Sequence, residues 1–324
     1  MQTKESVYQW FKEHPAEVLS GEALAKTLGL SRASVWKAVQ SLREEGINIH
    51  SEAGKGYCLE EPDTALTETS LLYYLRQAGY PDTFVEFFKT TVSTNFEAKQ
   101  WALEDAPHGS LVVGVMQEGG KGRKGRPFSS PAGGIYMSVI LRPTYALEEA
   151  GVITHATAVA TCRSIEEKTG CSLEVKWVND LFYKGKKCCG ILTEAGTNFE
   201  GGTLDYIVVG VGINFATPTA SFSKEAQEVA ISLFPEGNSP LSRAEQIAAL
   251  YDQILSISEN LSDRSFMEEY RKRNFLLGKP IKVLAPEPYN ATALTIDNDG
   301  GLVIRLEDGS EKTLFFGEVS VIPV

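Results

Sequence analysis

The chain has 324 residues, 43% of them apolar and 23% charged, a balance that builds globular cores and excludes a largely disordered protein. This length suits about two or three domains, so a single small module is excluded as well. Thirty-one Lys and Arg against 42 Asp and Glu leave a net charge of -11, which excludes coating of nucleic acid by bulk charge and confines any DNA contact to a local patch.

In chain order, Met1 to His14 carries Lys4, Glu5, Lys12 and Glu13 and lacks the apolar run of an export signal. Ser20 is placed to cap a helix from Gly21 to Leu28 that Gly29 stops, and Ser31 to cap a longer one ending at Gly46. On the longer helix Val35, Val39 and Leu42 recur at core spacing, leaving Arg32, Trp36, Lys37, Gln40 and Arg43 largely on other, polar and basic faces. Ile47 to His50 and Tyr57 to Leu59 read as a hairpin with Gly54, Lys55 and Gly56 at its tip. Helix, turn, helix and hairpin is a winged helix-turn-helix pattern, with a protein-interaction module as the alternative reading. On DNA, Arg32, Lys37 and Lys55 would reach phosphates, while Ser31, Ser34 and Gln40 offer hydrogen bonds. The segment is itself net negative, so one copy neutralises few phosphates and useful affinity requires two.

From Glu60 to Ser70, four acids and Pro62 mark an exposed linker, which divides the chain into 1–63 and a ligand-binding region of 64–275. That region alternates strand-like and helix-like segments: Val85 to Thr91, Asn95 to Glu104, Leu111 to Gln117, Ile135 to Leu141, Glu148 to Thr169, Leu173 to Val178 and Tyr206 to Ile213. Consecutive strands within it favour an α+β arrangement with a mixed sheet over a doubly wound one. A long helix from Leu241 to Asn260 follows, and 276–324 reads as a small β-barrel with Asp299-Gly300-Gly301 and Asp308-Gly309 turns. The five cysteines contain no Cys-x-x-Cys, which suits free thiols in a reducing cytoplasm rather than a disulfide framework or zinc site. The longest apolar stretch, Tyr206 to Ala216, is shorter than the roughly 20 residues a membrane helix needs.

The densest chemical signal is Gly119-Gly120-Lys121-Gly122-Arg123-Lys124-Gly125-Arg126, with four glycines, four cations and no acid. Its Gly-x-Gly-x-x-Gly spacing is not a dinucleotide fingerprint, because Pro127 and Pro131 oppose the helix that must follow. Neither a P-loop nor a protein-kinase motif set is present in the sequence. Glycines let backbone approach a ligand closely, and clustered cations repel one another unless an anion joins them, so a loop ordering around a phosphate or carboxylate fits. Lys176-Trp177-Val178-Asn179-Asp180 and Lys186-Lys187-Cys188-Cys189-Gly190-Ile191-Leu192 are joined by a hairpin. Asp180 suits a magnesium ion or ribose hydroxyl, and Lys187 suits a phosphate; turn chemistry and exposed hairpin charge are the plainer readings.

Ser93-Thr94-Asn95, the glycine-basic loop after Gln117, Lys176-Trp177-x-Asn179-Asp180, Lys187-x-x-Gly190-Ile191-Leu192 and Gly210-Val211-Gly212-Ile213-Asn214 occur in the order found in biotin-protein ligases. With the helix-turn-helix before them and the β-segment after, the whole chain resembles the bifunctional bacterial biotin ligases and biotin operon repressors. The resemblance implies a class II synthetase-like central domain and an SH3-like carboxy-terminal one. It further implies ATP-dependent formation of biotinyl-5'-AMP, then transfer of biotin to a lysine of a biotin carboxyl carrier protein. By similarity Ser93, Thr94, Asn95 and Gln117 hold the ureido ring, and Lys121, Gly122, Arg123 and Lys187 hold the carboxylate and adenylate phosphate. Lys187, Arg123 and Lys121 are the expected catalytic groups. Arg126, Phe128, Asn179, Asp180 and Asn214 would serve ATP, with Asp180 as the magnesium ligand. The family has Pro where this chain has Val178 and Trp where it has Phe128, which keeps an aromatic face for adenine. The same resemblance implies a cytoplasmic protein that homodimerises when adenylate-bound and then binds operator DNA. Lipoate ligation, or biotin sensing without transfer, are the alternatives.

Overall fold

The computed structural model describes residues 3–52, 54–60, 64–143, 150–198, 203–315 and 320–323. Glu61, Pro62 and Asp63 of the expected linker, Glu148 and Glu149 of an expected helix, Phe316 and Val319 of the expected β-barrel, and Ala53 in the expected hairpin lie outside the described residues, as do Met1 and Gln2. Two compact units emerge: Met1–Thr83 with Pro240–Ala249, and Phe84–Ser239 with Leu250–Val324.

The first unit contains α1 (Thr3–Glu13), α2 (Gly21–Leu28), α3 (Arg32–Glu45) and a hairpin of β1 (Ile49–Glu52) and β2 (Gly56–Leu59). The expected caps form: Ser20 Oγ accepts from Ala23 N at 3.1 Å, Ser31 Oγ from Ser34 N at 3.0 Å, and Gly29 and Gly46 adopt φ of 66° and 101°. Val35, Val39 and Leu42 are buried, and α1 completes their core with Val7, Tyr8 and Phe11. The sequence reading assigned no helix to that amino-terminal segment. A second addition is α4 (Glu68–Gln77), whose capping box pairs Thr67 with Ser70, so the linker gives way to helix before its expected end. Arg76 of α4 pairs with Glu5, placing α4 in this unit rather than with the residues after 83.

In the second unit β3 (Val85–Phe88), α5 (Thr94–Leu103) and β4 (Ser110–Gly114) form a parallel crossover. Strands β5 (Ile135–Leu141), β6 (Glu174–Lys176), β7 (Asp180–Tyr183), β8 (Lys186–Asn198) and β9 (Thr203–Ile213) complete an otherwise antiparallel sheet in the order β3-β4-β5-β9-β8-β7-β6. Register sets the two faces. Ser138, Gly210 and Leu192 stand side by side on one, where α5 buries Ala98 and Ala102 against Val112, Ile140 and Val208. Val139, Val209 and Thr193 lie on the other, where α6 (Ile153–Thr169) is tied by Thr154 Oγ1 to Thr193 Oγ1 at 2.9 Å. The short α7 (Lys224–Val229) follows, then the long α8 (Arg243–Glu259), which belongs to the first unit up to Ala249 and to the second from Leu250, and α9 (Phe266–Arg273), which the sequence reading also missed; its Arg273 holds Glu166 of α6 through 2.6 and 2.8 Å contacts. The carboxy-terminal segment forms β10 (Pro280–Leu284), β11 (Tyr289–Ile296), β12 (Leu302–Arg305), β13 (Glu311–Leu314) and β14 (Ser320–Pro323), an antiparallel sheet ordered β13-β12-β11-β10-β14.

Candidate active site

The site begins where β3 runs into α5. Ser93 occupies the helix N-cap without a side-chain cap bond, and Gln117 substitutes for it, its Oε1 accepting from Thr94 N at 2.8 Å. Gln117 is held in turn by Nε2 donating to Ser130 Oγ at 2.8 Å. Ser138 Oγ lies 2.8 Å from Thr94 Oγ1 and 2.7 Å from Asn95 Oδ1, while Asn95 Nδ2 donates to Leu192 O at 3.1 Å and Glu194 Oε2 at 2.9 Å. These buried polar groups are mutually satisfied and therefore rigid. Gly210 makes them possible, since a Cβ there would sit 1.8 Å from Asn95 Oδ1.

The glycine-basic loop is a hairpin over this network, bridged between Lys121 and Pro127, with Gly122 N donating to Arg126 O at 2.7 Å. Lys124 and Gly125 turn it at φ 56° and 72°. Phe128 follows. Its ring covers Gly190 and Gly212, which are paired across β8 and β9; a Cβ on Gly212 would meet the ring at 2.7 Å and one on Gly190 at 3.2 Å.

Asp180 opens β7 and Lys187 lies on β8, and their side chains meet at 2.6 Å. Asn179 Nδ2 donates to Ile191 O at 2.7 Å, leaving its Oδ1 toward Arg123 Nη1 at 3.5 Å. Below them, the Trp177–Val178 peptide is cis, Trp177 Nε1 donates to Gly300 O at 3.0 Å, and Tyr270 OH to Val178 O at 2.8 Å. His155 is packed beside both, against Gly300 and with its ring 4.7 Å from Tyr270, and burial lowers its pKa to about 4. It is a neutral packing group at pH 7.

All these elements enclose one cavity of about 220 Å³. Twelve of the expected residues line it: Ser93, Thr94, Asn95, Gln117, Lys121, Gly122, Arg123, Arg126, Phe128, Asn179, Asp180 and Lys187. Asn214 is outside the lining and buried, its backbone N–H bonded to Cys188 O at 2.8 Å. Lys124 and Lys176 join the lining, so six cations face a single carboxylate, Asp180. Burial lowers the pKa of Arg123 and of Lys176; Asp180 opposes that in both, while neighbouring cations reinforce it. An anion in the cavity would relieve both costs. Ser138 and Glu194 were not assigned from sequence, although a polar residue within the apolar runs Ile135 to Leu141 and Cys188 to Leu192 with its continuation is a readable signal. The two clearance glycines, Gly210 and Gly212, were quoted in a motif but given no role.

On the helix-turn-helix the expected contact residues Ser31, Arg32, Lys37 and Lys55 are exposed, and Ser34 and Gln40 half-buried. Ser31 and Ser34 hydroxyls are 2.8 Å apart. Arg32 lies 3.6 Å from Glu22, and Lys55 2.9 Å from Glu52, whose carboxylate raises the lysine pKa by hydrogen bonding and charge. A groove between α3 and the hairpin holds Arg32, Trp36, Lys55 and Tyr57, with Trp36 largely exposed.

The sheet and its cationic cavity define a protein ligase of the biotin/lipoate A/B family, which matches residues 84–214. An HTH domain matches 3–58 and the biotin protein ligase C terminal domain 276–321. The bifunctional ligase/repressor BirA of Bacillus subtilis is 30% identical over 95% of this chain and 96% of its own, and that of Escherichia coli 28% over 94% and 93%. The Aquifex aeolicus biotin protein ligase in complex with biotin and ATP has a TM-score of 0.63 at 25% identity, covering 74% of this chain and 99% of its own. The chain belongs to the bifunctional biotin ligase/repressor family.

Proposed function

We propose that this biotin-protein ligase and repressor builds biotinyl-5'-AMP within the cationic cavity and passes biotin to a lysine of a biotin carboxyl carrier protein. The observation that carries the reading is six cations facing one carboxylate beside a neutral polar wall whose Thr94, Asn95 and Gln117 are held by hydrogen bonds. The wall formed by Ser93, Thr94, Asn95 and Gln117 suits an uncharged ureido ring, and the cations suit a carboxylate and phosphates. A carboxylate oxygen of biotin attacks the α-phosphorus and the bond to the β-phosphate oxygen breaks, releasing pyrophosphate. Lys121, Arg123 and Lys187 neutralise the anions that repel one another as they meet. A free lysine amine then attacks the acyl carbon, the carbon–oxygen bond to phosphate breaks, AMP leaves and the amine's proton passes to solvent. Arg126, Phe128 and Asn179 serve the nucleotide, with the Phe128 face over adenine, and Asn214 supports them from behind the lining.

The donor set bears on magnesium. Asp180 is the one carboxylate of the lining, and no group of three or more His, Cys, Asp and Glu suited to a metal exists among the described residues. That suits an ion brought by ATP, with Asp180 as its protein ligand, because magnesium keeps waters and phosphate oxygens in its shell. Bound there, it would supply further charge neutralisation.

Two copies, joined when adenylate is bound, would supply the phosphate contacts that one net-negative helix-turn-helix cannot. No helix among the described residues is long and apolar enough to cross a membrane, and we place the protein in the cytoplasm with its carrier and operator. Intact-mass analysis of a carrier domain incubated with this protein, magnesium-ATP and equimolar biotin and lipoate tests the reading. A biotinyl adduct on one lysine is expected. A lipoyl adduct, or none while biotin still binds, overturns it.

A further inference from the structure

The polar wall of the cavity has a fixed donor and acceptor sense, and an ion pair behind it sets that sense. Asn95 Nδ2 carries two hydrogens, and both go to groups that only accept: the Leu192 carbonyl at 3.1 Å and Glu194 Oε2 at 2.9 Å. The other Glu194 oxygen accepts from Lys99 Nζ at 2.7 Å. The amide is therefore locked with Oδ1 toward Ser138 Oγ, 2.7 Å away, and because an amide oxygen cannot donate, the single hydroxyl hydrogen of Ser138 points to it. Ser138 Oγ then has only lone pairs left for Thr94 Oγ1 at 2.8 Å, so Thr94 donates its own hydrogen to Ser138. What Thr94 keeps for the cavity it lines is lone pairs. Gln117 leaves this order intact, since its Oε1 accepts from Thr94 N at 2.8 Å while the Thr94 hydroxyl stands at 3.3 Å.

We propose that Glu194, held by Lys99, is a positioning residue that fixes the hydrogen-bond polarity of this wall through Asn95, Ser138 and Thr94, making Thr94 Oγ1 an obligate acceptor and selecting a ligand that presents an N–H to it. This rests on the ligase reading above and deepens it. A cyclic urea brings such an N–H, whereas the dithiolane ring of lipoate has none and would strand a buried acceptor unpaired. The Lys99 and Glu194 side chains are 34% and 33% exposed, where an ion pair contributes little by itself. The consequence of the pair is the sign of the group shown to Asn95: an acceptor at residue 194 holds Nδ2, and a donor there would draw Oδ1 instead and reverse every hydroxyl along the chain.

The test uses the full chain, with biotin affinity read by calorimetry and KM and kcat by biotin-dependent pyrophosphate exchange. Glu194→Ala should weaken biotin binding by about tenfold, an effect that falls on the KM for biotin rather than on kcat or the KM for ATP. Glu194→Gln, which keeps a carbonyl for Asn95 Nδ2, should recover most of that loss. The charge-swapped pair Lys99→Glu with Glu194→Lys separates polarity from bracing: it preserves the ion pair but shows Asn95 a donor, so biotin binding should stay at least about tenfold weak with the KM for ATP held. In a Thr94→Val background, where the chain has lost its last hydroxyl, Glu194→Ala should cost less than about twofold more. Parental biotin affinity in the swapped pair means that the ion pair only braces α5 against β8, and overturns the proposal. Independent, multiplying losses from Glu194→Ala and Thr94→Val overturn it as well, and both results leave the ligase standing. A parent chain that binds lipoate in preference to biotin overturns the ligase reading itself.

Discussion

Cations meet opposite fates in the two units. Around the ligase cavity six of them face one carboxylate, whereas on the helix-turn-helix Arg32 and Lys55 stand beside acids of their own surface, 3.6 and 2.9 Å away. The first arrangement is an imbalance imposed by scaffold: the hairpin of the loop, the strand register and the floor at Trp177 hold like charges together, so a polyanion completes what folding began. The second is compensated and exposed, where ion pairs contribute little and salt screens them. On the function proposed above, phosphate capture would be fixed in the ligase fold, while DNA capture would depend on copy number.

The sharpest challenge to this contrast is Lys187→Ala or Arg123→Ala. Each should lower biotin-dependent pyrophosphate exchange by about 10²- to 10³-fold, the cost of losing one preorganised electrostatic group. A loss below about tenfold with unchanged biotin affinity would mean that the imbalance is incidental.

The cavity's rigidity can be stressed through its floor. The pKa of His155 falls from 6.5 to about 4 on burial. Its contribution to stability is therefore complete above pH 6.5 and is lost as pH falls through about 4, a difference of roughly 3 kcal/mol. Urea unfolding of the parent and His155→Gln across this window should show the parent's acid slope flattened in the variant. Parallel slopes would remove His155 from the argument.

Gly212→Ala asks whether the nucleotide wall is as fixed as the cations. Its methyl would displace the Phe128 ring and raise the KM for ATP by about tenfold, with biotin affinity by calorimetry unchanged. The smallest effect belongs to the DNA face. Glu22→Gln with Glu52→Gln frees Arg32 and Lys55, so the slope of log affinity against log salt should steepen by about two and affinity rise several-fold on a mixed-sequence duplex followed by anisotropy. An unchanged slope would mean that these cations never approach phosphates.

Much of this was legible because local physics agreed with the fold. Ser20, Gly29, Ser31 and Gly46 fixed the ends of α2 and α3 from single residues, and the loop from Gly119 to Arg126 announced itself against an acidic background. α1 escaped because its core face, Val7, Tyr8, Trp10 and Phe11, is short and closely flanked by charges on both sides. α4 escaped because Thr67 and Ser70 were read as linker composition instead of a reciprocal cap. The cavity lining was largely readable through family motifs, but the work of Gly210 was not: its need for a missing Cβ comes from Asn95, far away in sequence, and such long-range contacts leave no local periodicity. Asn214 shows the reverse limit, since motif membership carried a side chain to the neighbourhood of the cavity but not into it.

If Phe128 covers adenine as proposed, the register of Gly190 with Gly212 beneath its ring also makes the enzyme's cosubstrate choice editable. The ring fills a slot whose floor is bare backbone on two adjacent strands. Trimming Phe128 to alanine would leave that floor intact and open a hole of defined shape, into which an ATP analogue with an added group on its adenine could fit while natural ATP loses its cover. A ligase altered in this way could label carriers from a nucleotide that other enzymes in the same cell do not consume.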